Sequence, residues 1–416
     1  MKKTLNRWVY AIIGVIVLLL AGMVYSWTVM SSPIAAMYPE WTKAQLSLTF
    51  TITMFCFCLG VFFGGLLLKK CQPKILLWLS AVLFILGFLV SSRAQSLLML
   101  YLGFGILAGL ASGFAYNAIM SSVGKWFPDK QGLISGLLLM GYGIGSFIIG
   151  KIYTAVTPSD GGPAWRSTFL IFGIIVAIVM AIAGFFIVRP SDDWQAPAPK
   201  KAAKKKAESY EEINTITMLK RPSCWLFFFW AVLISTAWFG IVSQGSPMAM
   251  EAMQIQGGSA SAAQMSSIAT IVGLISIFNG IGRIVFGWLF DKLGRLLTMI
   301  IGGVLFACGM LLILWSIKSH STGILVVSYI LTGFSFGSVT PTISAFTSLF
   351  YGLKNYPTNY SIFNMNLLIA SFGSTLAGKL FDASGSYALI LLVNVGLIVA
   401  ALILAILIKK PKTAGK

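Results

Sequence analysis

Acidic residues are scarce in this chain. Of 416 residues only 11 are Asp or Glu, against 30 Lys and Arg, and charged residues of both signs make up 10%. A soluble domain carries about 25% charged residues. With 57% hydrophobic residues as well, a water-soluble globule is excluded. The one histidine, His320, falls between apolar runs, so neither a histidine metal cluster nor a Ser/His/Asp set can form inside one. The five cysteines give no framework: Cys56 and Cys58 are two apart, pointing about 200° apart on a helix, which suits packing rather than a metal or a disulfide. Gly141-Tyr-Gly143-Ile-Gly145 is glycine-rich but lies in an apolar run and follows no strand, so a dinucleotide loop fails. Gly103, Gly105, Gly109 and Gly113 read as helix-packing positions for the same reason. An enzyme is not expected, nor a cofactor, nor a metal. The most telling absence is a carboxylate within an apolar run, which a cation exporter would need.

What the chain has instead is long apolar runs. They recur about twelve times, with limits near 8–30, 44–68, 74–92, 98–124, 132–156, 166–188, 223–247, 264–289, 296–317, 323–350, 358–380 and 386–408. A helix needs roughly 20 apolar residues to cross a bilayer, and helices satisfy every backbone group within the segment. The first run, Trp8 to Met30, is too long for a signal peptide and lacks a small-residue cleavage site. The net charge of +19 shows no aromatic-interleaved basic face, so lipid rather than nucleic acid is the expected partner. Cations gather on alternate connections, at Lys2, Lys3 and Arg7, Lys69 to Lys74, Lys125 and Lys130, Lys200–Lys206, Lys292, Arg295, Lys354 and the C-terminal lysines. By the positive-inside rule both termini are cytoplasmic, in a multi-pass protein of the cell (inner) membrane. The stretch 189–222, with Pro190, Pro197, Pro199, the lysine run and Glu208, Glu211 and Glu212, reads as a cytoplasmic connector between halves 1–188 and 223–416.

One cation sits inside a run. Arg283, in Asn279-Gly-Ile-Gly282-Arg283, lies two turns before the polar exit at Asp291, about 12 Å along a helix axis. An intramembrane arginine costs at least about 2.5–3.5 kcal/mol and marks a function by default. With no acid to pair it, Arg283 reads as the seat of an anionic ligand; the alternative is a guanidinium that snorkels to the surface or braces carbonyls of a neighbouring helix.

The halves echo each other. Gly145-Ser-Phe-Ile-Ile-Gly150-Lys151 matches Gly373-Ser-Thr-Leu-Ala-Gly378-Lys379, and Gly60 to Lys70 aligns with Gly282 to Lys292. Two six-helix halves in register are the pattern of a repeat-built carrier. Gly287-Trp-Leu-Phe-Asp291-Lys-Leu-Gly294-Arg295 resembles the loop signature of the major facilitator superfamily, which implies an all-α integral membrane fold of twelve transmembrane helices and a cytoplasmic latch at Gly287, Asp291, Gly294 and Arg295. The first-half copy, Gly65 to Lys74, lacks the aspartate. Tyr25-Ser-Trp27-Thr, Tyr116 through Lys125-Trp-Phe-Pro-Asp-Lys-Gln-Gly132, Asn279-Gly-x-x-Arg283 and Asn355-Tyr356 with Tyr360 resemble the oxalate:formate antiporter family over nearly the whole chain. The resemblance implies that Arg283 binds substrate and that Tyr25 and Tyr116 face a central cavity. It also implies a second cation, a lysine, in the eleventh span. That position falls here on Phe363, beside Asn364, and no lysine lies between Lys354 and Lys379.

One guanidinium balances one negative charge, and a dianion would leave a surplus in a low-dielectric site. The expected substrate is therefore a small monocarboxylate such as formate, lactate or pyruvate, moved by anion exchange. A dicarboxylate stays open if Asn279, Asn364 or Asn366 share the load; so do proton symport and a transporter-like acid sensor. Asn279 either steers Arg283 or bonds between helices, and Tyr25 and Tyr116 either line the cavity or seek backbone partners. Asn364 and Asn366 are two apart, so one faces inward. Thr332 and Phe336, one turn apart, are further candidates, as is Trp27 through its motif. The chain is expected to work as a monomer. The charge pattern makes a direct prediction: alkaline phosphatase fused to the C-terminus is inactive and a fluorescent protein there is bright. Strong phosphatase activity would place that end outside.

Overall fold

Runs this long must bond their own backbone in lipid, and the protein does so with helices throughout. The structure, a computed structural model, describes residues 6–41, 43–157, 162–191, 212–255 and 262–409 and has no strand among them. The connector expected at 189–222 and the chain ends lie largely outside the described residues. In chain order the long helices are α1 Arg7–Ser26, α2 Lys43–Leu67, α3 Pro73–Ser92, α4 Leu97–Trp126, α5 Gln131–Val156, α6 Ala164–Phe186, α7 Pro222–Ser243, α8 Ala262–Leu293, α9 Arg295–Ser319 and α10 Thr322–Tyr351. Then come α11, in three pieces, and α12 Ala388–Leu407. Among the described residues 11 helices are long and apolar enough to cross a membrane.

The twelfth crossing segment is α11, and the structure breaks it into Tyr356–Asn364, Asn366–Ala370 and Phe372–Ser384. In the sequence it is one apolar run, 358–380. Side-chain bonds to the backbone accompany the breaks: Asn364 Nδ2 donates back to Tyr360 O at 2.9 Å, and Ser371 Oγ to Leu368 O at 2.7 Å. Such side chains compete with the backbone ladder and disturb helices. Broken helices at membrane depth are tolerated where protein covers them, and Tyr356–Ser361, Phe363 and Asn364 are all buried.

The described residues fall into two compact units. One takes those within 1–134, 141–212 and 352–364; the other takes those within 135–140, 213–351 and 365–416. In the first, α3 packs on α6 and α4, and α2 on α4 and the first piece of α11. In the second, α10 packs on α9 and α8, and α12 on α7 and α9.

The repeat seen in sequence has a physical counterpart in each unit. In the first, Gly145 of α5 meets Leu19 O of α1; in the second, the matching Gly373 of α11 meets Thr236 O of α7. Gly60 of α2 lies against Leu110 O of α4, and the matching Gly282 of α8 against Phe334 O of α10. Helices approach backbone to backbone at these points because no Cβ intervenes. Gly109 and Gly113 of α4 meet Thr53 O and Phe57 O of α2 in the same way.

Cations at helix ends are held by terminal carbonyls. Arg166 donates to Ser92 O and Ala94 O at 3.0 and 2.8 Å, and Arg295 to Ala405 O and Ile408 O at 2.9 Å each. Arg189, past the end of α6, donates to Leu68 O at 2.7 Å, and burial lowers its pKa from the ordinary value. These carbonyls have no helical partner of their own, so the arginines complete the helix ends. Arg7 pairs with Asp129 at 2.5 Å. The glycine seams generate a stability prediction. A Cβ on Gly113 would sit 2.7 Å from Val61 N, while one on Gly378 meets nothing within 4 Å. Gly113→Val therefore lowers the melting temperature in detergent, at a cost of about 1–3 kcal/mol. Gly378→Val leaves it within a degree or two, and equal shifts would contradict the seam.

Candidate functional site

Arg283 lies on α8, inside the apolar window Thr270–Leu293. Its backbone is approached from two sides by glycine. Gly136 of α5 lies against Arg283 O, and a Cβ on Gly337 of α10 would sit 2.7 Å from Arg283 N and from Asn279 O. The guanidinium donates through Nη1 to Leu139 O of α5, and its Nε donates to Asn279 Oδ1 at 3.3 Å. Asn279, one turn before Arg283, is buried at 9% exposure, and Arg283 itself is half-buried. All of these groups belong to the second unit. This geometry is the carbonyl-bracing arrangement, one of the alternatives the sequence left open, and Asn279 accepts from Arg283 on its own helix.

The bond differs from those of Arg166, Arg189 and Arg295. Leu139 lies in the interior of α5, Gln131–Val156, not at a helix end. A mid-helix carbonyl already accepts a helical N–H and offers only its second lone pair. It supplies a dipole to the guanidinium but no negative charge. Every acid in the chain lies at or beyond the end of an apolar run: Glu40, Asp129, Asp160, Asp192, Asp193, Glu208, Glu211, Glu212, Glu251, Asp291 and Asp382.

The first unit gathers an aromatic cluster that carries hydroxyls. Tyr142 of α5 is its centre, with ring centroids 5.5 Å from Tyr25, 5.1 Å from Tyr116 and 5.7 Å from Phe57. Edge and offset contacts of this kind add to burial. Tyr116 OH and Tyr360 OH are 2.7 Å apart, with Tyr360 stacked on Tyr356 at 5.1 Å. Ser112 Oγ donates to Ala21 O at 2.9 Å, so the proton in its 3.0 Å contact with Tyr142 comes from the tyrosine. Asn117 Nδ2 donates to Val61 O and Pro357 O at 2.6 and 3.0 Å, tying the first piece of α11 to this cluster.

Of the residues singled out in sequence, Arg283 and Asn279 come together, and so do Tyr25 and Tyr116 through Tyr142. Trp27 is 1% exposed, donates to Leu46 O at 2.8 Å and packs on Phe104. Thr332 is fully buried against Gly309 of α9. Phe336 stacks on Trp238 at 4.0 Å. Phe363 is fully buried in the first unit, and Asn364 donates to its own helix. Asn366, 1% exposed, belongs to the second unit. In the loop signature Gly287 is buried, Asp291 is exposed, Gly294 ends α8 with φ of 77° and Arg295 caps α12. Sequence reasoning missed Tyr142, Ser112 and the Leu139 carbonyl. Tyr142 had a signal, a polar ring set between Gly141 and Gly143; a backbone carbonyl has none.

With the geometry in hand, comparison with known proteins gives a consistent result. The family model described as Major Facilitator Superfamily matches residues 14–280 and 259–416. The MFS-type transporter YhjX of Escherichia coli K12 is 27% identical over 370 residues, covering 88% of this chain and 86% of that protein. The oxalate:formate antiporter of Oxalobacter formigenes is 26% identical over 296 residues, 71% of this chain and 66% of that protein. Monocarboxylate transporter 12 of Homo sapiens is 27% identical over 359 residues, 81% of this chain and 66% of that protein. Among solved structures, the Major Facilitator Superfamily transporter FucP in the outward conformation aligns with a TM-score of 0.61 over 94% of this chain and 98% of FucP. At 14% identity that likeness speaks for the fold alone.

The hydroxyl pair in the aromatic cluster is testable by a double-mutant cycle. Tyr116→Phe and Tyr360→Phe are expected to couple by about 0.5–1.5 kcal/mol in thermal or denaturant stability. Additive effects would show that the two hydroxyls do not share a bond.

Proposed function

This chain belongs to the Major Facilitator Superfamily, and from that premise we propose that it carries small monocarboxylates across the cytoplasmic membrane by alternating access, exchanging one anion for another. The observation that carries this reading is Arg283: a guanidinium within a membrane span, held by a neutral carbonyl and an amide, in a chain whose acids all stand outside the span interiors. Its planar fork of donors suits a carboxylate bidentately, and a charged acceptor is a stronger partner than a neutral one. Relatives named for oxalate, formate and monocarboxylates support the substrate class.

One cation favours one negative charge. The resemblance puts the antiporter family's lysine at Phe363, which is fully buried, and no lysine lies between Lys354 and Lys379. Neutral donors such as the Asn279 amide share charge poorly in a low-dielectric site, which places oxalate below formate, lactate and pyruvate.

Counterflow in liposomes with labelled mono- and dicarboxylates, with and without a pH gradient, tests the reading. Uptake of a monocarboxylate against internal unlabelled acid is expected, with little dependence on the gradient. Uptake driven by the gradient without internal acid would replace exchange by proton symport; binding without accumulation would make the protein a sensor. Arg283→Gln is expected to cut transport at least about a hundredfold, in line with the roughly 3–5 kcal/mol lost when one partner of a buried charge pair is removed. Retained uptake in that variant, folded and inserted, would remove Arg283 from the site.

A further inference from the structure

Resting on that reading, we propose that the Leu139 carbonyl is a built-in stand-in for the transported anion, so that a carboxylate arriving at Arg283 unfastens residues 135–140 from α8 and α10. This short stretch of α5 is the part grouped with the second unit, and it spans about 9 Å of helix. Its attachments there include several specific ones. Ser135 Oγ lies 2.6 Å from Ser344 Oγ of α10. Gly136 touches Arg283 O, and Met140 Cγ would lie 3.5 Å from a Cβ on Gly280. Leu139 O takes the Nη1 proton of Arg283.

Only the last of these attachments involves a charge, and only that one can be traded for a better partner. A carboxylate offers the guanidinium two oxygens and a full negative charge, against one lone pair of a neutral carbonyl. The trade costs Leu139 little, because a mid-helix carbonyl keeps its helical N–H when the side chain leaves. The Arg283 backbone is hemmed by Gly337, so the guanidinium swings while its Cα stays in place. The Ser135–Ser344 hydroxyl pair and the apolar contacts carry no such charge, so the segment is held more weakly once the guanidinium has turned to the carboxylate. In the unloaded protein the cation is satisfied by the protein's own backbone and the fastening is closed; loading opens it. Exchange follows from a fastening that anion opens, without requiring a bare charge in the empty carrier.

The test uses the full chain in liposomes, with Ser135→Cys and Ser344→Cys introduced and the accessible Cys71 and Cys308 replaced by Ser. Disulfide formation under mild oxidant is followed with no acid, then with formate, lactate or pyruvate. Saturating carboxylate is expected to slow cross-linking about tenfold, which corresponds to about 1.4 kcal/mol. In the Arg283→Gln background the rate is slow at the outset and carboxylate leaves it unchanged. Hydrogen exchange of amides 135–144 in the unsubstituted protein is the second reading and is expected to quicken with carboxylate. A carboxylate that binds saturably yet alters neither readout overturns the fastening and leaves Arg283 as an anion seat. If no carboxylate binds at all, both proposals fall.

Discussion

A single guanidinium in a membrane-spanning helix constrains everything around it. The charge cannot be neutralised from within a span, because the sequence places no carboxylate there. It cannot be left bare, because burying an unpaired charge costs several kcal/mol. The protein meets both conditions with dipoles, the Asn279 amide one turn away and the Leu139 carbonyl on α5. Dipoles hold a cation in place without cancelling its charge, which is why the proposed reading turns on this residue.

Bringing a backbone carbonyl within reach of an arginine at the base of another helix requires that the helices nearly touch. Gly136 makes that possible on α5, and Gly337 does the same on α10. The same device recurs at equivalent places in each unit, Gly145 with Gly373 and Gly60 with Gly282. Glycine here sets interhelical distance, and the distance determines which polar groups can meet. Elsewhere the arginines use the ordinary solution of terminal carbonyls, which is why Arg283 stands apart from Arg166, Arg189 and Arg295.

The crossing segments, the repeat and Arg283 were legible in the sequence because each depends on residue type and spacing. Apolar length predicts a span, and matched glycines predict matched contacts. The interruptions of α11 at Met365 and Ser371 were not, because side-chain bonds to the backbone such as that of Asn364 are a matter of rotamer, not composition. The π-helical stretch Tyr101–Ala108 in α4 was hidden for a similar reason, since its residues are as apolar as those of a regular helix. Tyr116 and Tyr360 are 244 positions apart in sequence and nothing local announces their 2.7 Å contact. Leu139 carries no mark in the sequence, because what it offers Arg283 is a carbonyl that any residue would supply.

Asn279 is the amide beside the guanidinium in the second unit, and Tyr116, Tyr142 and Ser112 carry hydroxyls and a ring cluster within the first. They can orient an oxygen, but none can offset a charge. On the proposed reading the charge a substrate can carry follows from the cations within the spans, and no lysine lies between Lys354 and Lys379, where Phe363 is fully buried. A fully buried phenylalanine has no water around it to receive an ammonium group, so a lysine there would need a new acceptor as well as a new charge.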